Sequence, residues 1–304
     1  MIYVTCGHEK GVGLEVFLKS YILLSRKEQK LFTLICEKKS LIETCESLQL
    51  NYVFTKDYIT IAHYNLNIIL VDDVPISTEA LKKSLDIIKN TDTLITLPTS
   101  KDQLLLNGEV VAGHTEYFRK YFKKNVSMFF KSHSANVLLI SDHVSLKEVS
   151  SYITPELIED QIHMTIKDYL KYFGKLSNIY IAGLNPHAGE SGMLGDEEQK
   201  LASTLSNLRK SFPQINISEF LPADSMLINN KFRSDSLFVY MFHDQGLAPF
   251  KTLFKTHGAN ISLGLPFLRL SVDHGTAFDL YGKNKADYLG CLYVLQLAIG
   301  AQRT

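Results

Sequence analysis

Residues 242–251 gather an imidazole, a carboxylate, an amide, a glycine and a lysine: His243, Asp244, Gln245, Gly246 and Lys251. The apolar, strand-like run Leu237-Phe238-Val239-Tyr240-Met241 precedes them. They therefore stand at the carboxyl end of a strand, where open α/β sheets present their ligands. Asn185-Pro186-His187-Ala188-Gly189-Glu190 follows the apolar run 179–184 in the same way, and Asp142-His143 follows 137–141. Three neutral imidazoles can hold a divalent ion and leave positions open for substrate oxygens. No short helical signature such as H-E-x-x-H is present, so three unrelated structural histidines are the competing reading. Asp142 and Asp244 can each orient a neighbouring imidazole or cap a turn.

Downstream lie candidates for an anion. Lys251 offers a mobile point charge and Arg269 a planar fork, both suited to phosphate. Arg269 sits between Leu268 and Leu270, a buried-leaning context that calls for an anionic partner. Gly113-His114-Thr115-Glu116 opens a helical pattern, so His114 and Thr115 would present donors at a helix start, with plain capping by Thr115 as the alternative. Ser271-Val272-Asp273-His274-Gly275-Thr276 follows a strand-like run; it can open a helix or form a nest for phosphate or part of a nucleotide. The opening turn, Gly7-His8-Glu9-Lys10-Gly11-Val12-Gly13, matches neither the G-x-G-x-x-G dinucleotide fingerprint nor a phosphate-binding G-x-x-x-x-G-K-[ST] loop.

The elements that must position these residues alternate in period. Short apolar runs at 2–6, 31–36, 67–71, 93–97, 137–141, 178–184, 215–220, 237–242 and 261–265 predict strands. Helical patterns occupy 13–24, 41–48, 78–89, 114–122, 155–172, 196–210 and 286–301. The helix at 155 is well marked: Thr154 can cap it, Pro155 fits the first position and Glu156 suits the dipole. Such alternation predicts an α/β fold with a mixed, mostly parallel sheet. The polar stretches 107–109 and 281–285 are the expected domain crossings. They would give an N-terminal domain of 1–106 plus 285–304 and a second of 107–284, which would carry most of the chemistry-bearing residues.

Bulk properties narrow the partners. The chain has 304 residues, 45% hydrophobic and 21% charged, ordinary values for a globular protein. Its 32 basic residues equal its 32 acidic ones, which argues against nucleic acid and anionic membranes as partners. Cys6, Cys36, Cys45 and Cys291 are scattered, as expected of reduced cytosolic thiols. No signal-peptide pattern opens the sequence and no apolar run nears the roughly 20 residues that cross a bilayer. A cytoplasmic protein is expected.

Taken together, the motifs resemble the 4-hydroxythreonine-4-phosphate dehydrogenase family of pyridoxal phosphate biosynthesis. The matching pieces are Pro98-Thr99-Ser100-Lys101, Gly113-His114-Thr115-Glu116, the 183–190 run, Leu221-Pro222-Ala223-Asp224, His243-Asp244-Gln245-Gly246, Gly264-Leu265-Pro266 and the 271–277 run. They occur in family order. The resemblance implies two α/β/α domains with the active site in the cleft between them, an architecture like that of isocitrate dehydrogenase, and a homodimer whose subunits share each metal site. Position by position, it implies His143, His187 and His243 as metal ligands. Substrate and phosphate contacts map to His114, Thr115, Asp224, Lys251, Asn260 and Arg269. Gly189, Glu190 and Gly192, with Asp273, His274 and Thr276, would hold NAD or NADP. Two departures stand out. The family's opening G-D-P-x-G-I-G-P-E lacks its Asp-Pro pair and later proline here, and Met193-Leu194 follows Gly192 where a histidine is common.

The implied reaction oxidises the secondary alcohol of 4-phosphooxy-L-threonine and then releases carbon dioxide, giving 3-amino-2-oxopropyl phosphate. A zinc, magnesium or cobalt ion would act as Lewis acid. Asp244 or a water would supply the final proton, and Lys251 with Arg269 would fix the phosphate. The alternatives are a sister dehydrogenase for a four-carbon sugar-acid phosphate, a non-redox binding protein, and a metal-dependent hydrolase.

Overall fold

The computed structural model describes residues 1–230 and 232–303. The chain divides into two compact units, one of residues 1–124 and 265–304, the other of residues 125–264.

In the first unit the strands run in the order Leu268–Val272, Thr93–Thr96, Ile2–Thr5, Phe32–Cys36, Tyr64–Leu70, Tyr58–Ile61, Tyr52–Phe54. The first five are parallel and the last two add antiparallel hairpins at the edge. Phe32–Cys36 and Thr93–Thr96 are buried at every residue, as expected of central parallel strands covered on both faces. Helices Gly13–Tyr21 and Leu289–Ala301 pack on each other, the second also on Leu268–Val272, while Ile76–Ile87 covers Ile2–Thr5 and Phe32–Cys36.

The second unit orders its strands Asn216–Leu221, Asn178–Ala182, Ser236–Tyr240, Asn136–Leu139, Ser127–Lys131, Ala259–Leu263. The first four are parallel; Ser127–Lys131 runs antiparallel to both of its neighbours. Helix His243–Phe254 lies on Asn136–Leu139 and Ser236–Tyr240 over a core that includes Phe130, Phe238, Tyr240, Leu247 and Phe250. Each such side chain, fully buried, contributes about 1.5–3 kcal/mol. Gly246 permits the close approach: a Cβ there would meet Leu139 Cδ2 at 2.8 Å. The mixed, mostly parallel sheet expected from the alternation is what forms.

Helix Pro155–Tyr172 begins as its sequence indicates, with Thr154 Oγ1 accepting the Leu157 amide at 3.2 Å, a cap worth about 1 kcal/mol. The domain crossings differ from expectation. Residues 107–108 form the tight turn of a small hairpin, Leu105–Leu106 against Glu109–Val110, inside the first unit. Residues 265–284 also stay there, because Leu268–Val272 pairs with Thr93–Thr96. Polarity marked surface turns, not passages between units. As a result, His114, Thr115, Arg269, Asp273, His274 and Thr276 belong to the first unit rather than to the expected second domain. Nor do residues 271–277 open a regular helix: only a short 3-10 turn, Phe278–Leu280, follows them.

Candidate functional site

The three strands whose ends carry histidine are consecutive neighbours in the second unit's sheet: Asn178–Ala182, Ser236–Tyr240 and Asn136–Leu139. Sheet order thus brings residues far apart in sequence to one edge. The rings of His143 and His243 face each other with centroids 5.8 Å apart. His243, directly after its strand, is the first residue of helix His243–Phe254. Its Nδ1 lies 2.7 Å from Asp244 Oδ1, which orients the imidazole and leaves Nε2 as the outward nitrogen. Asp142 Oδ1 accepts the His143 amide at 2.7 Å, a local turn contact.

His187 opens an unusual segment. From His187 through Gly192 every residue has positive φ, between 43° and 98°. For L-residues this left-handed winding costs about 1–2 kcal/mol at each non-glycine position. Gly189 is required there by space as well, because a Cβ would stand 2.6 Å from Glu198 Oε2. Buried Glu198 holds the segment: its carboxylate accepts the Asn185 amide at 2.8 Å and Asn185 Nδ2 at 3.0 Å. Glu190 Oε2 lies 3.8 Å from His187 Nδ1.

Gln245 joins two of the strand ends. Its Oε1 accepts the Met241 amide at 2.8 Å and its Nε2 donates to the Gly183 carbonyl at 2.9 Å. Sequence reasoning gave neither Gln245 nor Glu198 a role. For Glu198 the one signal was an acidic pair in a helix's first turn, which is usually a dipole effect.

Also in the second unit, Asn260 lies on Ala259–Leu263 with its Oδ1 buried and without a hydrogen-bond partner, an acceptor suited to a ligand N–H or O–H. Lys251 and Asp224 are exposed, on helices His243–Phe254 and Ala223–Asn229.

In the first unit, Arg269 is 2% exposed and Nη2 donates to Thr96 Oγ1 at 2.5 Å. Its guanidinium carbon stands 5.7 Å from the Phe118 ring centre. Burial pulls its pKa down to about 9, which still leaves it a cation at neutral pH. Burial, then the neighbouring Arg269 charge, hold His114 well below the usual imidazole range, so it is neutral at pH 7. Thr115 is buried, and Gly113 rather than Thr115 occupies the cap position of helix His114–Phe122. The 273–276 loop sits on the opening turn, with the Val12 amide donating to the Thr276 carbonyl at 2.9 Å. His274 Nδ1 stays local, 3.0 Å from the Gly275 carbonyl.

The donor set fits a divalent ion in kind: two exposed imidazoles, and a half-buried one fixed by a carboxylate. Among the described residues of one chain, however, no three His, Cys, Asp or Glu groups stand close enough to form a metal cluster. His143 and His243 are brought together; His187 is not gathered with them. Histidines after neighbouring parallel strands of one α/β unit, and a buried guanidinium beside a neutral imidazole in the other, are the groups this α/β protein sets out for chemistry.

Comparison with known proteins makes this specific. The family model described as "Pyridoxal phosphate biosynthetic protein PdxA" matches residues 40–298, and the chain belongs to that family. It is 32% identical to 4-hydroxythreonine-4-phosphate dehydrogenase of Sulfurihydrogenibium sp. (strain YO3AOP1), covering 99% of this chain and 98% of that one. It is 33% identical to the enzyme of that name from Aquifex aeolicus (strain VF5), over 97% and 96% of the two chains. The crystal structure of 4-hydroxythreonine-4-phosphate dehydrogenase from Klebsiella pneumoniae shares the fold, with a TM-score of 0.82 over 99% of both chains at 24% identity.

Proposed function

We propose that the protein is a 4-hydroxythreonine-4-phosphate dehydrogenase of pyridoxal phosphate biosynthesis that uses NAD or NADP and a divalent zinc, magnesium or cobalt ion. The observation that carries this reading is the near full-length match to relatives bearing that name. The reaction converts the CH–OH of 4-phosphooxy-L-threonine to a ketone, and the resulting β-keto acid loses carbon dioxide to give 3-amino-2-oxopropyl phosphate.

His143, His187 and His243 would hold the ion, whose Lewis acidity would favour ionisation of the substrate hydroxyl. A site completed across a homodimer accommodates the finding that one chain groups only two of these rings. Asp244, in contact with His243 Nδ1, would orient that ring, and either it or a water would deliver the final proton. Arg269 supplies buried positive charge for the phosphate, with Lys251 and Thr115 as further donors. Neutral His114 contributes a hydrogen bond instead of a charge. Asn260 Oδ1, a buried acceptor, would take a substrate N–H or O–H, and Asp224 would contact the substrate as well. Anchoring the phosphate away from the reacting carbon turns binding energy into orientation. Gly189, Glu190, Gly192, Asp273, His274 and Thr276 would hold the nicotinamide cofactor. Balanced charge, four free buried cysteines and the lack of any helix among the described residues long and apolar enough to cross a membrane support work in the cytoplasm.

An assay of the purified protein with 4-phosphooxy-L-threonine, NAD or NADP and a metal panel tests the reading. Reduced nicotinamide and carbon dioxide should form together. Turnover of the deaminated sugar-acid phosphate alone, or phosphate release without a nicotinamide signal, would overturn it.

A further inference from the structure

Polar ties join the strand ends that lead to the histidines, all within the second unit. Ser141 Oγ donates to the Met241 carbonyl at 2.7 Å, fastening the strand before His143 to the strand before His243. Gln245, through the Met241 amide and the Gly183 carbonyl, fastens the strand before His187 to that same strand. Both ties meet at Met241, just past Ser236–Tyr240, the middle strand of the three. Neighbouring strands stand about 4.8 Å apart, so the two outer strand ends are separated by roughly 10 Å, beyond any direct backbone hydrogen bond.

A third tie spans that gap. Glu197, the first residue of helix Glu197–Ser211, accepts Ser150 Oγ at 3.0 Å through Oε1 and Asn185 Nδ2 at 2.7 Å through Oε2. Ser150 lies on helix Leu146–Tyr152, which starts soon after His143, and Asn185 closely precedes His187. Asn185 first, then the Glu197 amide and Ser150, hold the Glu197 carboxyl below the usual glutamate range, so it is a charged acceptor at neutral pH. Gly195 leaves room for the contact: a Cβ there would press on Asn185 Nδ2 and stand 2.7 Å from Glu197 Oε2. With two ties meeting at one centre, the outer turns are free to splay about it. The third tie closes the triangle and fixes their spacing.

We propose that Glu197 is a positioning residue that sets the spacing of the His143 and His187 turns, and with it the affinity for a divalent ion. The proposal rests on the metal chemistry proposed above for those histidines. Glu197 acts through Asn185 and Ser150 and is not itself a ligand. Ser150 is exposed and Glu197 half-buried, so losing the tie should alter ligand geometry with little effect on global stability.

Two measurements on the full-length protein test this. In the metal-free protein, Ser150→Ala should shift the imidazole proton resonances of His187, which Ser150 reaches through Glu197 and Asn185. Those of His133, before the amino end of Asn136–Leu139, should stay unmoved. In titrations with Co²⁺, Glu197→Ala should weaken binding by roughly tenfold and Ser150→Ala by about threefold. The double variant should match Glu197→Ala alone, as expected of two groups acting through one contact. The visible Co²⁺ bands should move in Glu197→Ala while its urea midpoint stays near that of the unaltered protein; a purely structural role would do the reverse. Unmoved His187 resonances in Ser150→Ala, additive losses in the double variant, or unchanged Co²⁺ affinity in Glu197→Ala would overturn the proposal. Absence of Co²⁺ binding by the unaltered protein would instead overturn the metal chemistry, and the metal-free spectra would still decide whether the two turns are coupled.

Discussion

Gln245 Nε2 reaches across the sheet edge to the Gly183 carbonyl, 2.9 Å away, while its Oε1 accepts the Met241 amide. One amide thus fixes the end of the strand leading to His187 and the end of the strand leading to His243. Replacing it by leucine keeps the volume and removes both bonds. Gln245→Leu is expected to lower divalent-metal affinity by about 10–100-fold, the usual effect of losing a group that orients ligands. Calorimetric metal titration checks this, and unchanged affinity would show that the two turns hold their geometry without it.

Asp244 touches His243 Nδ1 directly. Asp244→Asn should weaken metal binding by a comparable 10–100-fold or so, with affinity restored in part by higher metal concentration. If instead metal affinity is intact and only the pH–rate profile changes, Asp244 is a proton donor and not a positioning group.

His114 makes stability depend on acid. Its folded pKa is depressed while the unfolded value is the ordinary 6.5, so below that pH the unfolded chain binds the extra proton. Stability is therefore full above about pH 6.5 and falls as pH drops, by up to about 1.4 kcal/mol per pH unit from this one group. Melting temperatures between pH 5 and 8 should fall less steeply on the acid side in His114→Gln than in the unaltered protein. Parallel curves would refute the assignment.

Arg269 meets Thr96 through one arm of a planar fork and lies against Phe118. Arg269→Lys keeps the charge but loses the fork, and should raise KM for the phosphorylated substrate by at least about tenfold. Thr96→Val should give a smaller rise, of about the size of one hydrogen bond, without a matching fall in kcat. Steady-state kinetics on both variants decide it.

Gly189→Ala should destabilise the protein by more than about 1 kcal/mol, since φ is +78° and the new methyl would press on Glu198. Urea unfolding measures the loss. A neutral change would mean that the left-handed segment relaxes freely.

Much of this was readable from sequence, and the omissions have physical causes. Strand-end histidines were legible because an apolar run followed by a polar cluster is a local signal. Their adjacency was not, since the order of strands 178–182, 236–240 and 136–139 depends on long-range pairing. Leu268–Val272 was read only as a strand-like run before 271, because a buried Arg269 breaks its apolar pattern, and Ser127–Lys131 was missed because its apolar core is only three residues long between a serine and a lysine. Helix His243–Phe254 was hidden by Gly246 and Pro249, yet Gly246 is what lets it sit against Leu139. The family motifs named candidate residues; only coordinates could show that Glu198 and Gln245 hold the turns.

A coil wound against the hand that L-residues prefer cannot start on its own. Residues 187–192 hold that shape beside Glu198, on helix Glu197–Ser211, which accepts the Asn185 amide. His187 is thus presented to solvent with its turn steadied by a carboxylate on the following helix.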